Sequence, residues 1–260
     1  MIPGVLVWMA VMLVAYAAAV NGVWMLRFAS SPRLRGMGGF DTPQWAALGR
    51  GAYLLGVPVL AVALRAPGLR ADALGLPLVD ALGWPADAAQ VGGDLVAALG
   101  LAGLVWGAVL AGHVWFRRTL DQTVVIERRR PTPASLGDIA LDALLLEAHW
   151  AFFRAGLLSL GLENATLALF ACVGLLGFEA WLNPAIRAAQ GDSEAMLGRV
   201  PGAALAILST WVFIATGSSV WCLAAHLVPA VGLATLEPVT ASAEPRAVAD
   251  APAAIEPTVL

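Results

Sequence analysis

The sequence predicts an all-α integral membrane protein, a polytopic helical bundle with about seven spans. Of its 260 residues, 60% are hydrophobic and only 13% are charged, whereas about a quarter of the residues in a soluble domain are charged. The mean hydropathy is +0.79. Several apolar runs reach the roughly 20 residues that cross the hydrocarbon core of a bilayer as a helix. Composition, mean hydropathy and the lengths of the apolar runs therefore predict an integral membrane protein.

The first three predicted spans lie at residues 5–26, 44–64 and 95–116. The first has Asn21 as its only strongly polar residue, and it lacks the basic region and cleavage site of a removable signal peptide. A short interfacial helix is expected at residues 71–82. One flank of the third span is formed by Gly100, Gly103 and Gly107, which have no side chains. Such a flank would let another helix approach closely.

The other four predicted spans lie at residues 139–162, 165–182, 203–215 and 220–236. Ser135 and Asp138 form an S-x-x-D capping pattern ahead of the fourth span. Pro184 should end the fifth span, because proline cannot continue a helix without losing a hydrogen bond. A Thr-Gly-Ser-Ser turn at residues 216–219 separates the last two spans.

The distribution of arginine predicts the orientation in the membrane. The loops after the first, third and fifth spans hold three, five and two arginines, and loops rich in arginine face the cytoplasm. We therefore expect a multi-pass protein of the inner (plasma) membrane, with its N-terminus outside. Residues 1–236 would form the transmembrane domain, and residues 237–260 an acidic, Ala/Pro-rich, disordered cytoplasmic tail.

The fourth span is unusual because it contains four ionisable residues, Asp142, Glu147, His149 and Arg154. A charge near the bilayer centre costs about 3 kcal/mol on insertion scales. Such residues are expected to turn inward, toward partners or a polar cavity. This helix is therefore the predicted location of the functional site.

Spacing places Glu147 and Arg154 on one helix face, because they are seven residues apart. His149 points away from that face. Three interpretations are open: a structural ion pair in which Glu147 or Asp142 neutralises Arg154, a site for general acid/base chemistry, or a polar translocation path.

Two further candidates lie in later spans, Glu179 in the fifth and His226 in the seventh. Together with Glu147 or His149 they offer metal-ligand side chains, but without the H-E-x-x-H spacing of a zinc site. No cofactor or metal is predicted. The sequence has no Walker motif or dinucleotide fingerprint. Its net charge of −3, without a basic patch, argues against nucleic-acid binding.

Two segments resemble the CAAX-protease and bacteriocin-processing (CPBP) family of intramembrane proteases. Residues 149–155, HWAFFRA, resemble the central Glu-Glu-x-x-x-Arg motif of that family, with Arg154 in place. Residues 216–226 resemble its final turn and helix, ending in His226. The resemblance covers about residues 139–236 and implies a CPBP-like core in the C-terminal half.

Several motif positions of that family hold other residues here. His149 and Trp150 stand in place of the paired glutamates, Leu182 in place of a histidine, and Ala230 in place of the final asparagine. In the family, a buried carboxylate activates water while histidine and asparagine stabilise the oxyanion. Glu147 or Glu179 would have to replace the missing glutamates.

Two functions from different classes follow from the resemblance. The first is a non-catalytic, protease-like scaffold or complex subunit, and the second is an active intramembrane endopeptidase that uses a buried glutamate with His226. A transporter is a third alternative. The expected partners are the lipid bilayer and either other membrane proteins or a membrane peptide substrate. The candidate catalytic set is Glu147, His149, Arg154, Glu179 and His226.

Overall fold

A computed structural model describes residues 4–27, 43–64, 88–121, 135–161, 164–191 and 199–242, and every regular element within these ranges is a helix. The principal helices are α1 (Gly4–Arg27), α2 (Pro43–Gly51), α3 (Val57–Ala63), α4 (Ala88–Asp121), α5 (Leu136–Leu158), α6 (Ala165–Leu182), α7 (Pro184–Ala188), α8 (Val200–Thr216) and α9 (Ser219–Ser242). The all-helical prediction is thereby confirmed.

Three stretches are long and apolar enough to cross a membrane, Gly4–Leu26 in α1, Ala89–Gly112 in α4 and Ala165–Leu182 in α6. Shorter apolar helices cover Ala47–Ala63, Val200–Thr216 and Ser219–Gly232. Helix α5 is not among the three, since it holds four charged residues. These helices identify the chain as suited to a membrane.

Helix α5 is the central element of the bundle. Every residue from His149 to Gly156 is buried, so this stretch is enclosed on all sides rather than on one face. One apolar cluster joins α5 to α4, α6, α8 and α9, and includes Trp150, Leu208 and Cys222. A second cluster joins α5 to α1, α3 and α6, and includes Met12 and Phe152. The two clusters together pack α5 against α1, α3, α4, α6, α8 and α9.

The capping pattern predicted for the start of α5 and the break predicted for the end of α6 are both present. The backbone N–H of Asp138 donates to Ser135 Oγ at 3.1 Å, and the Asp138 carboxylate accepts from the Ser135 backbone N–H and hydroxyl. These bonds stabilise the carboxylate and hold the pKa of Asp138 below its ordinary value. Helix α6 ends at Leu182, where Asn183 and Pro184 start α7.

A π-helical turn, Ala52–Gly56, joins α2 to α3 inside the predicted second span. Pro58 has no N–H to donate to the carbonyl of Leu54, where an α-helix would place a bond. The wider turn accommodates this missing donor. It also rotates the residues that follow relative to α2, and it presents Tyr53 to the interior of the bundle beside α5.

Two boundary expectations need correction. Helix α9 continues beyond residue 236 to Ser242. Residues 237–242 are therefore helical and do not belong to the predicted disordered tail. Residues 243–260 and the predicted interfacial helix at 71–82 lie outside the described residues. Helix α4 likewise continues past residue 116 to Asp121.

The predicted glycine flank makes no close contact in the described part of the chain. A Cβ added at Gly100, Gly103 or Gly107 would meet no heavy atom within 4 Å. Close approach occurs at two other glycines instead. A Cβ at Gly156 would lie 1.9 Å from Met9 Sδ, and one at Gly232 would lie 2.4 Å from Trp106 Nε1.

Gly232→Ala should therefore destabilise the bundle, because the rigid indole of Trp106 must move to admit the methyl group. We expect a loss of about 1–3 kcal/mol in the free energy of unfolding in mixed micelles. Gly107→Ala, on α4 next to Trp106, is the matched control. It should be neutral or stabilising by up to about 1 kcal/mol, since alanine favours a helix. Equal effects of the two variants would contradict the close contact.

Candidate functional site

Two polar clusters lie around α5, and together they contain four of the five predicted site residues, all four of which are buried. The Arg154 cluster consists of Glu147, Arg154, Ser209 and Ser219. The His149 cluster consists of His149, Glu179, Tyr53, Tyr16 and Asn183. The fifth predicted residue, His226, belongs to neither cluster.

The Arg154 cluster is a hydrogen-bond network around a buried cation. Arg154 is 1% exposed. Its Nη2 donates to Glu147 Oε1, and its Nη1 donates to Ser209 Oγ at 2.8 Å. Ser209 in turn donates to Glu147 Oε2 at 2.7 Å. Both carboxylate oxygens are therefore engaged, one by the guanidinium and one by a hydroxyl.

Two further groups contact the Arg154 guanidinium, whose Nε has no hydrogen-bond partner among the described residues. Its Nη2 also donates to Ser219 Oγ at 3.2 Å, and its guanidinium carbon lies 4.8 Å from the centre of the Phe213 ring. An aromatic face attracts a cation, more so when the cation is desolvated. The network thus joins α5 to α8 and α9 at one point in the core.

The predicted pairing of Arg154 with Glu147 is confirmed. Asp142, the second expected partner, instead binds Arg50 of α2 at 2.5 Å, with both side chains about half exposed. The five-residue step from Asp142 to Glu147 explains this separation, because it places Asp142 off the face that carries Arg154.

The His149 cluster lies on another face of α5, as the spacing predicts. His149 Nε2 is 2.9 Å from Glu179 Oε2 of α6, and both residues are buried. This contact gives Glu179 the partner that its own helix lacks. His149 Nδ1 forms no hydrogen bond with the described residues.

Tyrosines extend the His149 cluster toward α1 and the end of α6. The Tyr53 hydroxyl has no hydrogen-bond partner among the described residues, and the Tyr53 ring centre lies 5.2 Å from that of His149. The ring centres of Tyr53 and Tyr16 are 5.2 Å apart. Asn183 Nδ2 donates to the Tyr16 hydroxyl at 3.3 Å. These contacts bring α1, the π-turn and the α6 end to one polar cluster.

His226 points into the core beside α5, as expected. It is buried, and its ring stacks on Trp150 with centres 5.2 Å apart and an interplanar angle of 10°. Trp150 stands in one of the positions where the family motif has a glutamate. The indole ring of Trp150 on α5 therefore covers one face of the His226 ring.

A metal centre finds no support within the described ranges, where no three His, Cys, Asp or Glu side chains lie together as a group that could hold an ion. Cys172 and Cys222 are both buried and not disulfide-bonded. Cys222 Sγ donates to the Ser209 carbonyl at 3.3 Å. The two cysteines therefore act as small core residues.

Sequence reasoning missed Ser209, Ser219 and Tyr53. A serine or tyrosine inside an apolar run is common and carries no signal in isolation. The buried arginine supplied the one available clue, since a guanidinium has five N–H donors and one carboxylate cannot satisfy them. Hydroxyls on neighbouring helices were therefore required, but their positions depend on packing.

Glu147→Ala should strongly destabilise the protein, because it leaves Arg154 as an uncompensated buried charge. We expect a loss of about 3–5 kcal/mol in the free energy of unfolding, measured by reversible unfolding in mixed micelles. Asp142→Asn removes a carboxylate from the same helix, and its half-exposed pair should contribute only about 0–1 kcal/mol. A loss below about 1 kcal/mol for Glu147→Ala would contradict the structural role of the pair.

Comparison with known proteins adds no assignment to this geometry. No protein-family model, no curated protein and no solved structure matches the chain. The resemblance of two segments to the CPBP family thus stays a hypothesis that rests on the quoted residues. The function must be argued from the arrangement of the two clusters.

Proposed function

We propose that this protein is a multi-pass protein of the inner membrane with seven spans, in which α5 is the enclosed central helix. The long apolar stretches in α1, α4 and α6 support the membrane location. Helix α8 has 17 residues and measures about 26 Å, slightly less than the roughly 30 Å hydrocarbon core. A short span can be accommodated by local thinning of the bilayer at modest cost.

We further propose that the CPBP-like segments form a non-catalytic scaffold or complex subunit. The observation that carries this proposal is that both oxygens of Glu147 are already engaged, one by Arg154 and one by Ser209. A carboxylate held by a permanent cation and a hydroxyl is poorly placed to accept a proton from water. In such a protein the ion pair orients helices instead of performing chemistry.

The other candidate catalytic groups support the same proposal, because each has a separate partner. Glu179 contacts His149, while His226 stacks on Trp150. A hydrolytic centre of the family type needs a carboxylate and a histidine around one water molecule. The contacts of the described residues distribute these groups over different faces of α5.

The His149–Glu179 pair favours the second candidate function, an intramembrane endopeptidase. A histidine hydrogen-bonded to a carboxylate is a common general-base arrangement. In that mechanism the pair, and not Glu147, would activate water, and the substrate would be a membrane peptide. This alternative does not use the family motif at Arg154.

The topology predicts that the arginine-rich loop between α4 and α5 faces the cytoplasm. A cysteine introduced as Thr132→Cys should react with an impermeant thiol reagent only after the cytoplasmic side is opened. Glu163→Cys, in the loop after α5, should react from the outside. Cys172 and Cys222 are buried and should contribute little background. The opposite labelling pattern would overturn the orientation.

The non-catalytic proposal predicts no cleavage of membrane peptides by the purified protein in bilayers. Wild type, Glu147→Gln, His149→Gln and His226→Ala would be compared on a panel of transmembrane peptides, with products identified by mass spectrometry. Cleavage by wild type that disappears in His149→Gln would establish the endopeptidase and its base. Cleavage that disappears only in His226→Ala would restore the family mechanism.

A further inference from the structure

Two arginines lie where α6 ends and α8 begins. Helix α6 is one of the three stretches that are long and apolar enough to cross a membrane, and it ends at Leu182. Arg187 belongs to α7, which follows that end directly, and Arg199 immediately precedes α8. Both arginines are half-buried, so they lie against the protein between the ends of two apolar helices.

The Arg187 guanidinium is held at the end of α6 by main-chain carbonyls. Its Nη1 donates to the carbonyl of Trp181 at 2.9 Å and to that of Leu182 at 3.1 Å. The last carbonyls of a helix have no partner within the helix, and they form the negative end of its dipole. The position of Arg187 is therefore defined by the backbone and not by an opposite charge.

The Trp181 ring covers one side of the same guanidinium. The guanidinium carbon of Arg187 lies 5.3 Å from the ring centre, within the roughly 6 Å at which an aromatic face attracts a cation. Trp181 is 50% exposed and stacks on Phe178, which is 48% exposed, with ring centres 6.1 Å apart. Tryptophan is enriched at the level of the lipid headgroups. The end of a membrane-length helix and an exposed tryptophan thus both place Arg187 at that level.

Most of the hydrogen-bonding capacity of Arg187 is directed away from the protein. A guanidinium has five N–H groups on three nitrogens. Within the described ranges, Arg187 donates from Nη1 alone, and no carboxylate pairs with it. Its Nε and Nη2 can therefore donate together, in the fork geometry that matches a phosphate group.

Arg199 adds a second positive charge to the same place. Its Nη1 donates to the carbonyl of Ile186, the neighbour of Arg187 in the chain, at 3.2 Å. This bond brings the side chain that precedes α8 onto α7. The connection from α7 to α8 also contains Asp192 and Glu194, which lie outside the described residues. Two cations therefore border one short helix at the membrane surface.

A lipid accounts for these features better than a soluble anion does. The two arginines form the loop after the fifth predicted span, which the topology places at the cytoplasmic surface, and the cytoplasmic leaflet carries anionic lipids. Basic pockets between membrane helices on that side bind lipid headgroups. A soluble phosphate would leave the exposed rings of Phe178 and Trp181 without a partner, whereas the acyl chains of a phospholipid can cover them.

We propose that Arg187, with Arg199 beside it, binds the phosphate of an anionic phospholipid whose acyl chains lie against Phe178 and Trp181. Arg187 donates to the phosphate from Nε and Nη2 and keeps Nη1 on the end of α6. The bound lipid thereby links the end of α6 to the start of α8. This inference rests on the proposed membrane location, and not on whether the protein cleaves peptides.

The test is lipid retention by the full-length protein in nanodiscs that contain equal amounts of phosphatidylglycerol and phosphatidylcholine. Native mass spectrometry counts the lipids of each kind that stay bound when the disc is removed. We expect wild type to retain phosphatidylglycerol over phosphatidylcholine by about fivefold or more, the factor expected for one arginine near an anionic lipid. Equal retention of the two lipids would overturn the proposal.

Arg187→Gln should lower this retention ratio by about fivefold, because it removes the charge that contacts the phosphate. Arg50→Gln is the matched control, since Arg50 lies near the start of the second predicted span, on the same side of the membrane, and is already paired with Asp142. It should leave the ratio unchanged, and equal effects of the two variants would exclude Arg187. Arg187→Lys keeps the charge and should lower the ratio less than Arg187→Gln does. Equal losses in these two variants would show that Arg187 only positions the helix end.

Soluble glycerol phosphate separates the two sources of the phosphate group. Millimolar glycerol phosphate should not displace the retained phosphatidylglycerol, and displacement would replace the lipid by a soluble ligand. Trp181→Leu should lower the retention ratio by about twofold or more, since the ring that attracts the guanidinium is lost. An unchanged ratio would exclude Trp181 from the site. Failure of the protein to insert into the bilayer would overturn the membrane location as well, whereas insertion with equal retention would overturn the lipid site alone.

Discussion

The buried guanidinium of Arg154 is the constraint on which the rest of the structure depends. A cation this deeply enclosed is tolerated only with a carboxylate and further acceptors around it. Glu147 comes from the same helix, but Ser209 and Ser219 come from α8 and α9. Pairing the two terminal nitrogens of one side chain therefore requires three helices to meet at a defined height and rotation. The surrounding aromatic and aliphatic residues then exclude solvent from the network.

The two faces of α5 have different consequences for function. On one face, a permanent cation and a carboxylate engaged at both oxygens join α5 to α8 and α9. On the other, a histidine and a carboxylate lie within hydrogen-bond distance of each other, and the histidine ring contacts a tyrosine of the π-turn. Burying both pairs in one helix costs free energy, which close packing around that helix must offset. Helix α5 contacts two apolar clusters. The same enclosure that makes the charges costly also keeps their partners in place.

Local signals in the sequence predicted the all-helical class and several helix ends, because they act within a few residues. The capping pair Ser135 and Asp138, the break at Pro184 and the turn around Gly217 all lie where expected. Helix bounds were less certain where no such signal exists, as at the extended end of α9. The glycine flank of α4 was not used for close packing, because contact depends on which face of a helix meets its neighbour.

The candidate site was predicted in part and for a clear reason. The sequence by itself determined that charges lie inside an apolar helix, and helical periodicity then paired Glu147 with Arg154 and directed His149 elsewhere. Only the tertiary structure decided that Glu179 meets His149, that Asp142 binds Arg50 and that His226 stacks on Trp150. These contacts join residues far apart in the chain, and they depend on the rotation of each helix. Periodicity fixes relative positions along one helix, but it carries no information about the neighbour that each face will meet.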